Sequence, residues 1–178
     1  VKVTVFEKEA RMGGVVRNVI PGFRISDEAI DNDVKIVAAM GVEMVNGKEI
    51  TSIDELKKEY DYVVLAVGAS DKGTLKLEAG DTMNALDFLA QFKATDGKLD
   101  LGKNVVVIGG GNTAMDTARA AKRNAGVEKV SLVYRRTRRF MPADEDELVM
   151  AMEDGVAFAE LLAPVKLDNH TLSFRKMI

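Results

Sequence analysis

The sequence predicts an α/β fold in which helices flank parallel sheets. Short β-branched or apolar segments alternate along the chain with segments of helical periodicity, and parallel strands are joined through such helical crossovers. Glycines stand where predicted helices end, as Gly41 and Gly155 do. The 178 residues are 47% hydrophobic and 30% charged, a composition that can bury the core of one ordinary domain or of two small ones.

The first unit is predicted to begin and to end with a strand. Val1–Phe6 is β-branched and alternates in polarity, as a half-buried strand does. Tyr62–Val67 is a nearly continuous apolar run, which is typical of a strand buried on both faces of a parallel sheet. Between these strands we expect a helix over 27–40 with Ser26 as N-cap, a strand over 42–45, and a helix over 53–59 with Ser52 as N-cap.

A more polar stretch over residues 69–102 separates this unit from a second one, in which the alternation restarts. We therefore divide the chain into domains 1–75 and 76–178. Pro142 precedes the last predicted helix, whose acidic first turn suits the helix dipole. The second unit is predicted to contain helices over 85–92, 113–124 and from Pro142 to about 154, strands over 104–108, 129–134 and 156–162, and a hairpin over 165–174.

Composition and charge exclude several functions. Lys and Arg number 25 and Asp and Glu number 28, and the resulting net charge of −3 argues against a dedicated nucleic-acid binder. No apolar run approaches the ~18 residues of a membrane span, and Val1 opens on a predicted strand, so we expect a cytoplasmic protein without a membrane span or signal peptide. The absence of cysteine excludes disulfide chemistry and cysteine-held iron–sulfur clusters within these residues.

The most informative motif is a glycine turn between a predicted strand and a predicted helix. Residues Gly109–Ala114 read G-x-G-x-x-A, directly after an apolar strand. In this layout Gly109 permits a tight turn, Gly111 lets the backbone approach a pyrophosphate, and Ala114 allows close packing of the helix on the strand. The N–H groups and dipole of the helix N-terminus favour the dianion. The motif therefore predicts a Rossmann-like dinucleotide site, and a glycine turn without a nucleotide is the alternative.

The residues at the end of the next strand predict which dinucleotide is bound. A site for NAD usually has Asp or Glu there, about 20 residues beyond the turn, where the adenosine ribose lies. This chain has Arg135 and Arg136 instead. Guanidinium groups bind a 2′-phosphate through charge-assisted hydrogen bonds, whereas a carboxylate would repel it. We therefore predict NADPH over NADH.

Two other charged runs have less specific interpretations. Arg138 and Arg139 continue the basic run, and loop geometry decides whether they reach the phosphate. A nucleic-acid patch is disfavoured by the acidic balance of the chain, and a solvated loop remains the alternative. The acidic run over residues 144–147 suits the first turn of a helix better than a metal site, and we predict no metal.

In the first unit, Glu7 ends a predicted strand, as an adenosine-ribose acceptor would. A strand-end glutamate that is merely solvated is the alternative. Gly13 and Gly14 could bring backbone close to a cofactor, or could form a plain turn. The residues of this unit alone do not decide between these interpretations.

Nearly the whole chain resembles the flavin-dependent NADPH oxidoreductases related to the small subunit of glutamate synthase. That group includes the flavin region of dihydropyrimidine dehydrogenase, adrenodoxin reductase, and the flavin subunit assigned to selenate reductase. The most specific matching stretch is Val107–Arg119, which contains the glycine turn. The other matching stretches, in the same order and spacing, are Val5–Glu9, Met12–Ile25, Tyr60–Ala69, Ala85–Leu89, Val133–Thr137 and Met141–Ala143.

The resemblance implies two nucleotide-binding units, because in that family FAD lies across one Rossmann-like domain and NADPH binds a second, inserted one. Domain 1–75 would be a remnant of the FAD-binding domain, and domain 76–178 would bind NADPH. Hydride would pass from the nicotinamide to the flavin, a step that needs no side-chain acid or nucleophile, so we predict no catalytic residue. The FAD contacts implied are Glu7, Lys8, Gly13, Gly14, Arg17, Arg24 and the Gly68 turn; the NADPH contacts are Gly110, Gly111, Asn112 and Thr113 for the pyrophosphate, and Arg135 and Arg136 for the 2′-phosphate.

The chain also departs from the family pattern. The first FAD glycine motif and the carboxy-terminal FAD segment are missing, so we expect a central fragment with a truncated FAD unit. The parent protein would pass electrons to an iron–sulfur region or subunit. A regulatory module that binds NADPH without turnover is one alternative, and a thioredoxin-reductase-like disulfide enzyme is another, which the absence of cysteine disfavours. His170 lies in a predicted turn and receives no role.

Overall fold

The computed structural model describes residues 1–69 and 72–178. It divides into two compact units, Val1–Asp71 and Lys72–Ile178. The division falls within the polar stretch that the sequence places between two domains. Both units combine helices with parallel strands, as predicted.

The first unit is built around a parallel pair of short strands. Strand β1 pairs with β2 in the register Thr4 to Glu43 and Phe6 to Val45. The N-cap prediction at Ser26 is confirmed, since its hydroxyl oxygen accepts a hydrogen bond from the N–H of Ala29 at 3.2 Å. The elements of this unit are β1 Thr4–Phe6, α1 Gly14–Asn18, α2 Asp27–Ala39, β2 Glu43–Val45 and α3 Ile53–Glu59.

The predicted buried strand over Tyr62–Val67 is wrong. No strand is assigned there, and Tyr62, Val64 and Val67 are 90%, 86% and 83% exposed. A strand exists only when a neighbour supplies its ladder of hydrogen bonds. Within residues 1–69 the only ladder joins β1 to β2. The apolar run therefore has the composition of a buried strand but no partner in the described part of the chain.

The second unit has a three-stranded parallel sheet in the order β3-β4-β5, followed by an antiparallel hairpin of β6 and β7. The hairpin turns at Asn169 and His170, which both adopt positive φ angles. The helices and strands predicted here are all present, with ends shifted by up to three residues: the strand predicted over 156–162 ends at Ala159, and Leu162 belongs to the hairpin instead. The α-helices and strands of this unit are α4 Ala85–Ala94, β3 Asn104–Ile108, α5 Asn112–Arg123, β4 Lys129–Val133, α6 Glu145–Glu153, β5 Ala157–Ala159, β6 Leu162–Asp168 and β7 Thr171–Lys176.

Helix α5 is the centre of the second unit. It contacts α4, α6, β3 and β4, and its Met115 is fully buried. Small residues on the same helix, Ala118 and Ala121, are also fully buried, and they let the helix lie close to Val130 and Leu132 of the sheet core. This packing holds the N-terminus of α5 at the end of β3.

A charge cluster links the far end of α5 to the end of α6. Arg119 Nε and Arg123 Nη1 both lie 2.6 Å from the Asp154 carboxylate. Hydrogen bonds from Arg123, and then from Arg119, hold the pKa of Asp154 below its ordinary value. Because the pKa is lower in the folded chain, the stabilising effect is present above the unfolded value of about 4 and is lost as the pH falls through the folded value.

We expect Asp154→Asn to lower the free energy of unfolding at pH 7 by about 1 kcal/mol, since a partly solvent-exposed charge cluster is broken. The loss should shrink as the pH falls below 4, because the wild-type carboxylate becomes protonated. Urea unfolding at several pH values measures this. The neighbouring exposed Glu153, changed to Gln, is the control, and an equal effect of both changes would contradict the role of the cluster.

Candidate nucleotide-binding site

The glycine turn and the arginines predicted to bind phosphate leave the sheet at the same edge. Strands β3 and β4 are parallel, and Ile108 is paired with Val133 at their carboxyl ends. The ladder continues one step further, because the N–H of Gly109 donates to the carbonyl of Val133 at 3.0 Å. The turn that follows Ile108 and the segment that follows Val133 are therefore neighbours. The structure thus brings the two predicted halves of a dinucleotide site together.

The three glycines of the turn have different surroundings. A Cβ on Gly110 would lie 2.5 Å from the ring of Tyr134, so that ring occupies the space of a side chain. A Cβ on Gly109 would lie 3.0 Å from the Cβ of Ala114, which reflects the close packing of helix on strand. At Gly111 the nearest atom to a Cβ would be Pro142 Cγ at 3.9 Å, an ordinary contact. Packing thus explains the first two glycines, while the space beside Gly111 is open.

The N-terminus of α5 offers hydrogen-bond donors. The first backbone N–H of this helix that is bound by the protein is that of Ala114, which donates to the Gly111 carbonyl at 2.9 Å. Within residues 1–69 and 72–178, the N–H groups of Gly110, Gly111, Asn112 and Thr113 have no protein acceptor. Such N–H groups, together with the helix dipole, favour an anion.

Arg135 and Arg136 follow β4 directly and are exposed. Backbone hydrogen bonds tie this segment to the end of β5 and the residues that follow it: the N–H of Tyr134, just before Arg135, donates to the Ala159 carbonyl at 2.9 Å, and the N–H of Leu161 donates to the Arg136 carbonyl at 3.3 Å. No ion pair involves either guanidinium in the part of the chain that the structure describes. Two cationic residues therefore follow the strand that pairs with β3 just before the glycine turn, and neither forms an ion pair within residues 1–69 and 72–178.

The next two arginines differ from each other. Arg138 Nη2 lies 3.0 Å from the Glu145 carboxylate, and its backbone N–H donates to Glu160 at 2.5 Å. Arg138 is therefore already paired with the protein. Arg139 is exposed, and among the described residues it has no ion-pair partner.

A segment that we name the flanking segment, residues 138–144, lies against the glycine turn. The N–H of Ala143 donates to the Gly110 carbonyl at 3.0 Å. Asn112 Oδ1 accepts from the N–H of Asp144 at 3.1 Å, and Asn112 Nδ2 donates to Asp144 Oδ2 at 3.3 Å. The contact was not predicted, because the sequence gives no signal that pairs positions 32 residues apart. The side chain of Asn112, predicted to meet a pyrophosphate, is bound to the protein in this structure.

In the first unit, Glu7 follows β1 directly, as predicted. Its N–H extends the ladder by donating to the Val45 carbonyl at 2.9 Å. Its carboxylate Oε1 accepts a hydrogen bond from the N–H of Glu9 at 3.0 Å, so the side chain is half-buried in a local turn. Lys8 is exposed.

Gly13 and Arg17 serve the packing of the first unit. Gly13 has a φ angle of 124°, and a Cβ there would lie 2.9 Å from the Arg17 Cβ. Arg17 is 5% exposed, donates from Nε to the Met12 carbonyl at 2.5 Å, and lies 2.7 Å from Asp31. The hydrogen bond from Arg17, followed by that from Arg11, lowers the pKa of Asp31. The structure thus gives Arg17 a partner within its own unit.

The remaining predicted FAD contacts have less defined surroundings. Gly14 opens α1 with a φ angle of 49° and has open space where a Cβ would stand. Arg24 is half-buried, and its N–H donates to the Pro21 carbonyl at 2.9 Å. Gly68 is exposed and follows the run that forms no strand. Their roles toward FAD stay predictions.

Residues 1–69 and 72–178 contain neither a cluster of metal-ligating side chains nor a helix suited to span a membrane. Neither the acidic run over 144–147 nor any other set of three or more metal-ligating side chains is grouped as a metal site would require. No helix there has the length and apolar character of a membrane span.

Comparison with known proteins gives related sequences over nearly the whole chain. The chain is 47% identical over 182 residues to YgfK of Escherichia coli strain K12, which is named as an oxidoreductase. The aligned region covers 98% of this chain and 17% of YgfK. The chain is 34% identical to PreT of E. coli O157:H7, named as a subunit of NAD-dependent dihydropyrimidine dehydrogenase, over 97% of this chain and 43% of PreT. It is 37% identical to the NADPH-Fe(3+) oxidoreductase subunit beta of Geobacter sulfurreducens, over 92% of this chain and 26% of that protein. The chain thus spans less than half of each of these relatives.

Solved structures share the fold at low sequence identity. FprA of Mycobacterium tuberculosis matches with a TM-score of 0.75 and 17% identity, over 98% of this chain and 60% of that one. The thioredoxin reductase of T. acidophilum matches with a TM-score of 0.56 and 12% identity, over 98% and 66%. These likenesses confirm the Rossmann-like α/β fold.

Residues 2–159 match the sequence pattern of one protein family, described as pyridine nucleotide-disulphide oxidoreductase. The match includes β1, the glycine turn, α5 and the arginines that follow β4. The chain itself contains no cysteine, so a redox disulfide is not among its residues. On this match, the chain belongs to the pyridine nucleotide-disulphide oxidoreductase family.

Proposed function

We propose that this chain is the nucleotide-binding part of a flavoprotein oxidoreductase that takes hydride from NADPH. One observation carries the proposal: the glycine turn before α5 and two arginines without ion pairs in the described chain, Arg135 and Arg136, follow neighbouring strands at the same edge of one parallel sheet. Such an edge is where dinucleotides bind in α/β folds. The family match supports the same chemistry.

The pyrophosphate would bind at the start of α5. The unpaired N–H groups of residues 110–113 and the helix dipole suit a dianion. The extended backbone at Gly111, with a φ angle of −100°, and the open space beside it allow close approach of a phosphate. Gly109 and Ala114 support this geometry from the strand side.

The choice of NADPH over NADH depends on charge. The carbonyl of Arg136 is hydrogen-bonded to the N–H of Leu161, and the side chains of Arg135 and Arg136 are exposed without ion pairs among the described residues. The 2′-phosphate of the coenzyme would supply the missing counter-charge, and planar guanidinium groups bind phosphate in bidentate fashion.

FAD would bind to the first unit. The proposed contacts share a position near the end of β1, in the turn into α1 or in the loops that follow. They are Glu7 for the ribose hydroxyls, Lys8, Gly13, Gly14 and Arg24 along the cofactor, and the Gly68 turn. At Gly14 the open space beside the backbone suits close approach of a cofactor. Arg17 is left out, because its guanidinium is bound to Asp31.

The chain's own contribution to the reaction is binding and orientation. When bound, NADPH supplies the hydride and FAD accepts the electron pair, so the cofactors carry the chemistry. The α5 N-terminus would hold the central pyrophosphate of the coenzyme, and the arginines would hold the 2′-phosphate on its adenosine ribose. No described residue needs to act as an acid, base or nucleophile.

The electron acceptor would be an iron–sulfur region or subunit of the parent protein, as in glutamate synthase. Two relatives support a multi-part assembly, because PreT and the Geobacter protein are both named as subunits. This chain covers only 43% and 26% of those proteins, so the acceptor would be bound by residues outside it.

We expect Arg135→Ala combined with Arg136→Ala to raise the Kd for NADPH by at least about 100-fold and the Kd for NADH less than about threefold. Each lost charged hydrogen bond to phosphate costs about 1.5–3 kcal/mol of binding free energy. NADH has no 2′-phosphate, so its binding does not depend on these hydrogen bonds. Titration calorimetry on the full-length protein measures both constants.

The control for that variant removes the same charge elsewhere in the second unit. Arg175 and Lys176 are exposed residues of β7, and their double change to Ala should leave both constants within about twofold. Equal weakening of NADPH and NADH by the Arg135 and Arg136 changes would discard the 2′-phosphate assignment.

Gly110→Ala and Gly111→Ala should act differently. The first change forces a Cβ against the Tyr134 ring and should lower the free energy of unfolding by about 1–3 kcal/mol. The second fits the fold, with a cost of about 1 kcal/mol or less, but should weaken NADPH and NADH alike by tenfold or more, because the methyl group crowds the pyrophosphate. Urea unfolding and calorimetry separate these effects. Unchanged coenzyme binding in Gly111→Ala would show that the pyrophosphate lies elsewhere.

The flavin part of the proposal predicts that the full-length protein purifies with a yellow flavin spectrum that NADPH bleaches under anaerobic conditions. Glu7→Ala should lower the flavin content, because the ribose would lose its acceptor. Exposed Glu9→Ala is the matched control. A colourless full-length protein that still binds NADPH would instead favour a binding or regulatory module without turnover.

A further inference from the structure

We propose that Asn112 and Asp144 form a positioning pair for the adenosine 2′-phosphate, acting through the flanking segment rather than through direct contact with the coenzyme. The inference rests on the proposed function, since it concerns the same nucleotide site. It assigns the side chain of Asn112 a different role from that of a pyrophosphate ligand. It also gives a role to Asp144, an acidic residue beside a site for an anion.

The pair is reciprocal. Asn112 donates from Nδ2 to Asp144 Oδ2 at 3.3 Å and accepts through Oδ1 from the N–H of Asp144 at 3.1 Å. Both polar atoms of the amide are thereby used within the protein. Asn112 is the first residue of α5, and Asp144 directly precedes α6, so the pair ties the starts of two helices together.

The flanking segment is attached at further points. The N–H of Ala143 donates to the carbonyl of Gly110 at 3.0 Å, and the hydroxyl of Tyr134 donates to the carbonyl of Phe140 at 2.7 Å. Residues Arg138–Phe140 form a short 3₁₀ turn, and its last residue is one of these attachment points. The position of that turn relative to the start of α5 is therefore set by the Asn112–Asp144 pair and the contacts beside it.

Arg139 is the residue whose backbone position this arrangement fixes. It lies in the 3₁₀ turn, is exposed, and has no ion pair within the described residues, whereas Arg138 is paired with Glu145. A long flexible side chain loses less entropy on binding when its backbone is already fixed. We assign Arg139 to the 2′-phosphate together with Arg135 and Arg136.

The sign of the electrostatic effect separates this role from the alternatives. The Asp144 carboxylate lies beside the helix start where a pyrophosphate is proposed, and like charges repel. Removing this carboxylate should tighten coenzyme binding if charge alone matters. If the carboxylate positions the flanking segment, its removal should weaken NADPH binding. This is the opposite of the change that the loss of negative charge alone would produce.

The experiment measures the Kd for NADPH and for NADH by calorimetry in the full-length protein. We expect Asn112→Ala and Asp144→Ala each to raise the Kd for NADPH about five- to tenfold and that for NADH less than about twofold, as suits the loss of one hydrogen-bonded link. The double variant should be no weaker than Asn112→Ala, because that change alone already removes both hydrogen bonds of the pair, whereas Asp144→Ala removes only the one to its carboxylate. Asp144→Asn keeps an oxygen that accepts from Asn112 and should stay within about twofold of wild type.

Asp146→Ala is the matched control. It removes the same charge from the same helix turn at an exposed residue that takes no part in the pair, and it should leave the Kd for NADPH unchanged or slightly lower. Circular dichroism checks that each variant is folded. If Asp144→Ala does not fold, the test uses Asp144→Asn, whose Kd for NADPH should stay close to that of the wild type and should not fall as the charge effect alone would predict.

Three results would overturn the inference: an unchanged or lower Kd for NADPH in Asp144→Ala, full additivity in the double variant, or equal weakening of NADPH and NADH. These outcomes leave the proposed function standing, because the wild-type protein still binds NADPH. A wild-type protein that binds neither coenzyme would overturn the proposed function and, with it, this inference.

Discussion

The parallel pairing of β3 with β4 is the constraint on which the candidate site depends. The carboxyl ends of parallel strands meet at one edge, and here the last ladder step joins Gly109 to Val133. One strand continues into a turn whose N–H groups have no acceptors in the described chain, and the other continues into Arg135 and Arg136. Two sources of positive potential thus stand side by side, one from backbone dipoles and one from formal charges. A ligand with phosphate groups at two positions matches both.

Close packing of α5 makes this edge rigid. Ala118 and Ala121 are fully buried, and Ala114 comes within 3.0 Å of the position of a Gly109 Cβ. Larger residues would push the helix away from the sheet and open the turn. At the other end, Asn124 is buried and forms hydrogen bonds with the backbone of Leu99, which secures the exit of the helix. The helix therefore holds its N-terminus fixed before any ligand is bound.

Local sequence patterns predicted most helices, turns and strands correctly. The predictions failed for features that depend on contacts between distant parts of the chain. The glycine turn, the start of α2 and the strands of the second unit follow from caps, turn residues and short-range periodicity. The run Tyr62–Val67 has the composition of a buried strand, but no neighbouring strand pairs with it in the described residues, and composition does not encode a neighbour. The pairing of Arg138 with Glu145 and of Asn112 with Asp144 depends on how the segment after β4 folds back, which no local pattern specifies.

The surroundings of each glycine show whether packing alone requires a residue without a side chain at that position. Gly13 has a positive φ angle and a buried arginine where its side chain would lie, and Gly110 has the Tyr134 ring in that space, so the fold alone requires both. Gly111 has an extended backbone with a φ angle of −100° and no atom closer than 3.9 Å to the position of a Cβ. Neither strain nor packing in the described chain accounts for a glycine there. At this N-cap position, beside N–H groups that lack acceptors in the described chain, the absence of a side chain would let the proposed pyrophosphate approach the backbone more closely than a methyl group permits.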